Sequence, residues 1–423
     1  MNIRMTLRPL LCCALLAATV TAAVGGCATG ARAPSAVSQE RPAALGASMT
    51  PDQAAARALL VSPRVLAAAH RVDAATARAE AAAMPPDPTI AISLGVPIDG
   101  MGGTPVSLSI MQGIAWLLAH DAIRDAATRE RDVAARELVA ASVETAAEAR
   151  RLARALVAAR DMSAATRTAA ESRHARIAIE RDRFDTGESS SASVFAMERE
   201  ALAADAMLAD ALLEEHELAV SLESLLAVTE LPTIDAVATS VDTVPSADSL
   251  EVIRARAAVA RAEAMLAGAS SPLGTDARAG AGFSRDLEDR ESITGTIELG
   301  LPIFRRAHEL DALRADVAAA RADLAEAERV AAIENDHAIA RVKGARESAE
   351  FARQAAVAAR NARSTVENAL ATGESSRAAV TEARVMEAET QALAAKRRIE
   401  LAAAIARLEA RAAQNTESAG GTR

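Results

Sequence analysis

Aromatic side chains make up 1% of this chain: tyrosine is absent, tryptophan occurs once and phenylalanine five times. A thick globular core draws much of its volume from such rings. Their scarcity argues against one, even though hydrophobic residues reach 51% of the sequence. Alanine supplies most of the apolar character instead, and with arginine and glutamate it favours thin, closely approaching helices. Cysteine is nearly as scarce. Of the three cysteines, Cys12 and Cys13 lie in the first apolar run, which leaves Cys27 alone downstream. One thiol forms no internal disulfide and no cysteine-based metal site. Charged residues are 25% of the chain with both signs interspersed and a net charge of −10, so no basic block offers itself to nucleic acid.

Chemistry-bearing motifs are also missing. The six histidines, His70, His120, His174, His216, His308 and His337, stand apart with no close pair or H-E-x-x-H spacing. No glycine-rich phosphate loop follows a strand, and no G-x-S-x-G occurs. Acidic residues stand near arginines at helical spacing, as in Asp132/Arg136 and Asp311/Arg314, which reads as pairing on helix surfaces. No enzyme, cofactor or metal site is expected. An energy source would belong to a partner.

The chain opens with Arg4 and Arg8 ahead of a run, LLCCALLAATVTAAV, too short for a membrane span but suited to a signal-peptide core. The run ends in Val24-Gly25-Gly26-Cys27, which resembles a bacterial lipoprotein processing site. That resemblance implies a signal peptide over 1–26 and acylation of Cys27, and Ala28 after it implies the outer membrane. An ordinary signal peptide cleaved nearby is the alternative. Residues 27–50 lack periodicity and read as a flexible tether.

From Thr50 the chain reads as one unit written twice, and such a duplication governs any choice of fold. Thr50-Pro51-Asp52-Gln53 carries a capping hydroxyl, a first-turn proline and a capping-box glutamine, predicting a helix to about Ala83. In PTIAISLGV, Ile90, Ile92, Leu94 and Val96 alternate with small or polar residues. After a turn at 99–103, Val106, Leu108 and Ile110 do the same, which predicts a hairpin. Helical periodicity then runs from Ile114 to about Arg183, a rod of ~100 Å at 1.5 Å per residue. TGESS at Thr186–Ser190 breaks it, and a return helix runs to about Ala227.

The second half repeats this order. Ala260-Arg261-Ala262-Glu263 echoes Ala77-Arg78-Ala79-Glu80. A second alternating pair carries Ala277, Ala279, Ala281 and Phe283, then Ile297, Leu299 and Leu301. A long helix from about Phe304 to Ala369 meets TGESS again at Thr372–Ser376, and a last helix runs to about Ala412. The repeats are placed at 51–230 and 249–412, with a linker at 231–248 and a disordered tail at 413–423.

Strands with one apolar face match a transmembrane β-barrel in period, or small soluble hairpins against helices. Trp116 and Phe304 hold equivalent places just past the second strand of each repeat, where aromatics would lie at a membrane interface. Four strands cannot close a barrel, and lipid forbids open edges. Three chains would supply about twelve strands, enough to close with a lumen.

The order and double occurrence of these features resemble the TolC-type outer-membrane efflux ducts, or outer membrane factors, particularly their lipidated members. The features are the lipobox-like Val24–Cys27, Ser62-Pro63-Arg64-Val65, Met111-Gln112-Gly113, Leu301-Pro302-Ile303-Phe304 and the two TGESS turns. The resemblance implies a mainly α fold with two repeats of long antiparallel hairpins. It also implies four strands given to a shared, trimeric, twelve-stranded barrel above an α-helical periplasmic barrel. It further implies a passive exit duct for metal ions, drugs or other small molecules, working with a periplasmic adaptor and an inner-membrane transporter. Thr186, Gly187, Glu188 and Ser189 would then lie at one periplasmic tip, and Thr372, Gly373, Glu374 and Ser375 at the other, facing the adaptor. Repeated around a threefold axis, Glu188, Glu374 and Asp185 would form an acidic ring. A periplasmic coiled-coil lipoprotein serving as scaffold or spacer is the other reading, and TGESS as a plain helix–helix turn is compatible with both.

Overall fold

The computed structural model describes residues 47–94, 105–114, 116–235, 249–270, 278–286, 290–298 and 306–414. Seven helices occur among these residues. They are α1 (Pro51–Val61), α2 (Pro63–Ala82), α3 (Trp116–Asp185), α4 (Ser191–Leu226), α5 (Leu250–Ser270), α6 (Arg306–Ala371) and α7 (Arg377–Gln414). The strands are β1 (Ser48–Met49), β2 (Thr89–Leu94), β3 (Val106–Gly113), β4 (Thr233–Ile234), β5 (Arg278–Arg285) and β6 (Glu291–Glu298). Val96, the turn at 99–103, Ala277, Leu299, Leu301 and Phe304 lie outside the described residues.

Three local features differ from the sequence reading. The single helix expected over 51–83 is two, because Pro63 cannot donate to the preceding turn. Ser62 ends α1 and caps α2, its hydroxyl accepting from the Val65 amide. At the other end of α1 the capping box is complete, with Thr50 and Gln53 each accepting the other's backbone N–H. Second, the stretches read as tether and linker hold structure where they meet the helices. Ser48 and Met49 pair in parallel with Thr233 and Ile234. Third, Asp132 pairs with Arg131 at 3.0 Å rather than with Arg136, whereas Asp311 and Arg314 do pair, at 2.9 Å. In addition, α7 runs two residues past Ala412, to Gln414.

The ion pairs fix how the helices lie. Toward the TGESS turns, Arg173 and Arg176 of α3 reach Glu389 and Glu382 of α7. Arg181 of α3 reaches Glu198 of α4 at 2.6 Å, and Arg384 of α7 reaches Glu367 of α6 at 3.1 Å. The order across this end is therefore α4-α3-α7-α6, a single layer, and both turns stand at the same end. Toward the sheet, Arg254 and Arg261 of α5 reach Glu137 and Glu130 of α3. Arg256 of α5 reaches Glu328 of α6 at 3.2 Å. Here α5 takes the place of α7. Likewise α1 and α2 continue the line of α4: Arg57 Nε donates to the Leu226 carbonyl at 3.5 Å, and Arg64 pairs with Glu144 of α3.

Where the lines change over, a compact core forms. Leu152 and Leu156 of α3, Leu222 and Leu226 of α4, Ala54, Ala55 and Ala58 of α1, and Met49 and Ile234 of the small parallel pair bury one another. Each buried leucine contributes about 1.5–3 kcal/mol. Elsewhere the seams are mostly alanine, with Ala155, Ala159 and Ala395 fully buried, and a smaller cluster of Val342, Ile405 and Leu408 joins α6 to α7.

The strands form one antiparallel sheet in the order β2-β3-β5-β6. Its register brings Ile92, Leu108, Phe283 and Ile293 into one cross-strand row. Gly280 faces the β3 backbone so closely that a Cβ there would stand 2.3 Å from the Ile110 carbonyl oxygen and 2.9 Å from Met111 Cγ; at Gly295 nothing lies within 4 Å. Gly280→Ala is therefore expected to destabilise the sheet by about 1–3 kcal/mol, as overpacking does, and Gly295→Ala to change it little. Melting of the purified protein, followed in the β-sheet infrared band, checks the contrast.

Candidate functional site

Each TGESS copy builds the same turn. In the first, the Gly187 amide donates to the Phe184 carbonyl at 2.9 Å and the Glu188 amide to Arg183 at 2.7 Å. In the second, Gly373 donates to Leu370 at 3.1 Å and Glu374 to Ala369 at 2.8 Å. This paired 5→2 and 6→1 pattern is the Schellman motif, which needs a left-handed residue after the helix cap. Gly187 supplies it at φ 76° and Gly373 at φ 79°, where any Cβ would be strained. The threonines close the helices: Thr186 Oγ1 donates to the Asp182 and Arg183 carbonyls, and Thr372 Oγ1 to Ala369. The last serine of each copy caps the return helix. Ser190 accepts from the Ser193 amide at 3.3 Å, and Ser376 from the Ala379 amide at 3.2 Å.

The residues singled out at the turns are thus brought together in two exposed tips. Thr186, Gly187, Glu188, Thr372, Gly373 and Glu374 are exposed, and Ser189 and Ser375 half-buried. Glu188 stands 3.9 Å from Arg183. The serines that do the capping, Ser190 and Ser376, were not among the residues singled out. Neither was Glu180, which accepts the Ser189 hydroxyl. That hydroxyl, more than Ser193, Arg183 and Arg176, holds the Glu180 carboxyl below its ordinary value. A carboxylate one and a half turns before a helix end carries no motif, so only the folded turn reveals it.

The sheet is the second element, and its two faces differ. On one lie Ile90, Ile92, Leu94, Leu108, Ile110, Phe283, Ile293 and Ile297. The other carries Thr89, Ala91, Ser93, Ser107, Ser109, Gly280, Gly282, Ser284, Ser292, Thr294 and Thr296. Among the described residues the apolar face is open: Ile92 is 65% exposed, Ile293 85% and Ile297 72%. On the polar face serines pair across strands, Ser93 with Ser107 at 2.8 Å and Ser284 with Ser292 at 2.7 Å. Arg278 and Glu298 stand opposite each other at the helix-side end of that face.

Other candidates fall differently. Trp116 begins α3; Cys27 and Phe304 lie outside the described residues. His70 and His174 pair with Asp73 and Asp205 on helix surfaces. Among the described residues no group of three metal-ligating side chains comes together, and no helix is long and apolar enough to cross a membrane.

No protein-family model and no curated protein sequence matches the chain. Its structure is nonetheless similar to solved outer-membrane proteins. The Campylobacter jejuni CmeC outer membrane channel shares 13% identity over 87% of this chain and 86% of its own, with a TM-score of 0.69. The outer membrane protein VceC of Vibrio cholerae shares 19% identity over 85% of this chain and 94% of its own, with a TM-score of 0.66. The open state of the Neisseria gonorrhoeae MtrE outer membrane channel shares 14% identity over 86% and 88%, with a TM-score of 0.57. The chain therefore has the fold of these channels: long helical hairpins in two repeats, with a four-stranded sheet at one end.

Gly187→Ala and Gly373→Ala are each expected to weaken the local turn by about 1–2 kcal/mol, the cost of a left-handed residue with a Cβ. Faster amide exchange confined to the mutated turn checks this. The Glu180–Ser189 bond has a definite pH sense. Because the folded value is depressed, its contribution is complete above the ordinary carboxylate pKa and is lost as pH falls through the lower, folded value. Turn amides at 187–190, exchanged at pH 6 and at pH 3 and corrected for intrinsic rate, are expected to lose protection only at the acid end.

Proposed function

We propose that this chain is an outer membrane factor: the passive outer-membrane duct of a tripartite efflux system, assembled from three copies. The observation that carries the proposal is a sheet whose apolar face is open and whose edge strands β2 and β6 have no neighbour among the described residues. In water such a face has no reason to persist, and in lipid such edges cannot remain unpaired. Three copies joined edge to edge satisfy both, with the isoleucine face toward lipid and the serine face toward a water-filled lumen. Running antiparallel to a neighbour's β2, β6 is suited to the joint.

The helical layer calls for the same neighbours. Its outermost helices toward the tips carry unburied apolar side chains: Phe195, Leu202 and Leu213 on α4, and Ile333, Phe351 and Val357 on α6. Set α4 against the next copy's α6 and these rows meet, rolling three layers into a tube. The tips then ring the far end of that tube, where Thr186–Ser189 and Thr372–Ser375 face a periplasmic adaptor linked to an inner-membrane transporter. Acylation of Cys27 would add a lipid anchor, and Trp116 and Phe304 would stand at the membrane interface. Metal ions, drugs or other small molecules are the cargo class, driven by the partner pump.

The first test is the native mass of the detergent-extracted protein, corrected for bound detergent; a trimer is expected, and a monomer or dimer would hand the case to a periplasmic scaffold. Ile92→Asp and Ile293→Asp test the lipid-facing assignment. Arginine at mid-membrane on a barrel's outer face costs about 2–4 kcal/mol and aspartate less, so both variants should lose part of their membrane assembly and export. Ser107→Asp, on the opposite face, should retain both.

A further inference from the structure

The two TGESS turns are identical in sequence and in backbone bonding, yet they are not held alike. In the first hairpin Glu180 lies under the turn. It accepts the Ser189 hydroxyl, and Arg183 holds it at 3.3 Å; Ser193, in the first turn of α4, adds to the lowering of its pKa. One carboxylate thus ties the outgoing helix to the turn. Superimposing the pentapeptides places Val366, Ala369 and Ala379 at the positions of Glu180, Arg183 and Ser193. None of these can make the same bonds. Among the described residues, neither the Ser375 hydroxyl nor the Glu374 carboxylate meets a side-chain partner.

The difference is specific to that layer of the hairpin. One step further along, the repeats keep an equivalent bridge with its charges exchanged: Arg181–Glu198 in the first, Glu367–Arg384 in the second. Both hairpins are therefore zipped to within two turns of the tip, and they part company at Glu180 and the Arg183 beside it.

We infer that Glu180 is the positioning residue that holds the first tip in one shape, while the second tip, which has only the backbone bonds and the threonine and serine caps common to both tips, is the adaptable one. Its functional meaning rests on the proposed duct: of the two surfaces offered to an adaptor, the first is preorganised and the second adjusts on contact. Preorganised surfaces bind at lower ordering cost. Loss of Glu180 should therefore weaken engagement without dismantling the hairpin, whose helices and bridges remain.

Hydrogen exchange on the full-length, detergent-extracted protein tests this. Amides 187–190 are expected to exchange about tenfold more slowly than 373–376, the scale of one charge-assisted side-chain bond lost. Glu180→Val should bring the first tip to the rate of the second, and Glu180→Gln, which still accepts from Ser189, should recover part of the protection. The reverse transplant, Val366→Glu with Ala379→Ser, should slow the second tip, a gain that misfolding cannot imitate. In cells, Glu180→Val should reduce export at an unchanged level of assembled trimer, and Glu180→Gln should restore it in part. Equal exchange at the two wild-type tips, or a first tip indifferent to Glu180→Val, overturns the inference. Exchange is read whatever the protein transports, so a monomeric native mass would sink the duct while leaving this contrast standing.

Discussion

Everything in this molecule follows from a layer one helix thick. Long α3 and α7 lie side by side along seams of buried alanine, with α4 and α6 outside them. Small side chains let the backbones approach but leave almost no volume to enclose. The layer therefore has two edges and no centre, and the largest apolar cluster among the described residues occurs where α1, α3, α4 and the small parallel pair meet. A structure of this kind cannot finish itself. Its apolar edges and the outer strands of its sheet lie open among the described residues, the proposed trimer would close both, and the scarcity of aromatic residues is the compositional face of that constraint.

Length turns the same constraint to use. A helix of 70 residues carries a turn ~100 Å from its sheet, so sheet and tip are separated by structure rather than by a flexible link. Ion pairs do the aligning along the way. Most are exposed and individually worth little. Their value lies in register: Arg173 and Arg176 on Glu389 and Glu382 set the two hairpins level, so the tips end together.

The break at Ser62-Pro63 and the pairing of Ser48–Met49 with Thr233–Ile234 serve the changeover between lines of helices. A continuous helix over 51–82 would have to pass the end of α4 without turning. The proline stop frees Ser62 to cap a second helix, and the parallel pair closes the core beside Leu222 and Leu226. The second repeat makes the corresponding passage with one helix, α5. The duplication is thus faithful in its hairpins and looser at the junctions.

Periodicity and punctuation carried most of this architecture in the sequence itself. Alternation at 89–94 and 106–113, long helical runs without proline, and two TGESS breaks announce hairpins, strands and tips, because these are local consequences of backbone sterics and side-chain spacing. The glycines that turn the chain at Gly187 and Gly373 are readable for the same reason. Tertiary structure decided what depends on contacts distant in sequence. It placed both tips at one end, matched Ile92, Leu108, Phe283 and Ile293 in one row, paired two residues of an apparent tether with two of an apparent linker, and set Glu180 beneath one turn but not the other. Sequence spacing alone does not settle which carboxylate finds which hydroxyl across a turn, nor which arginine an aspartate prefers, since that choice is made by side-chain geometry once the backbones are in place.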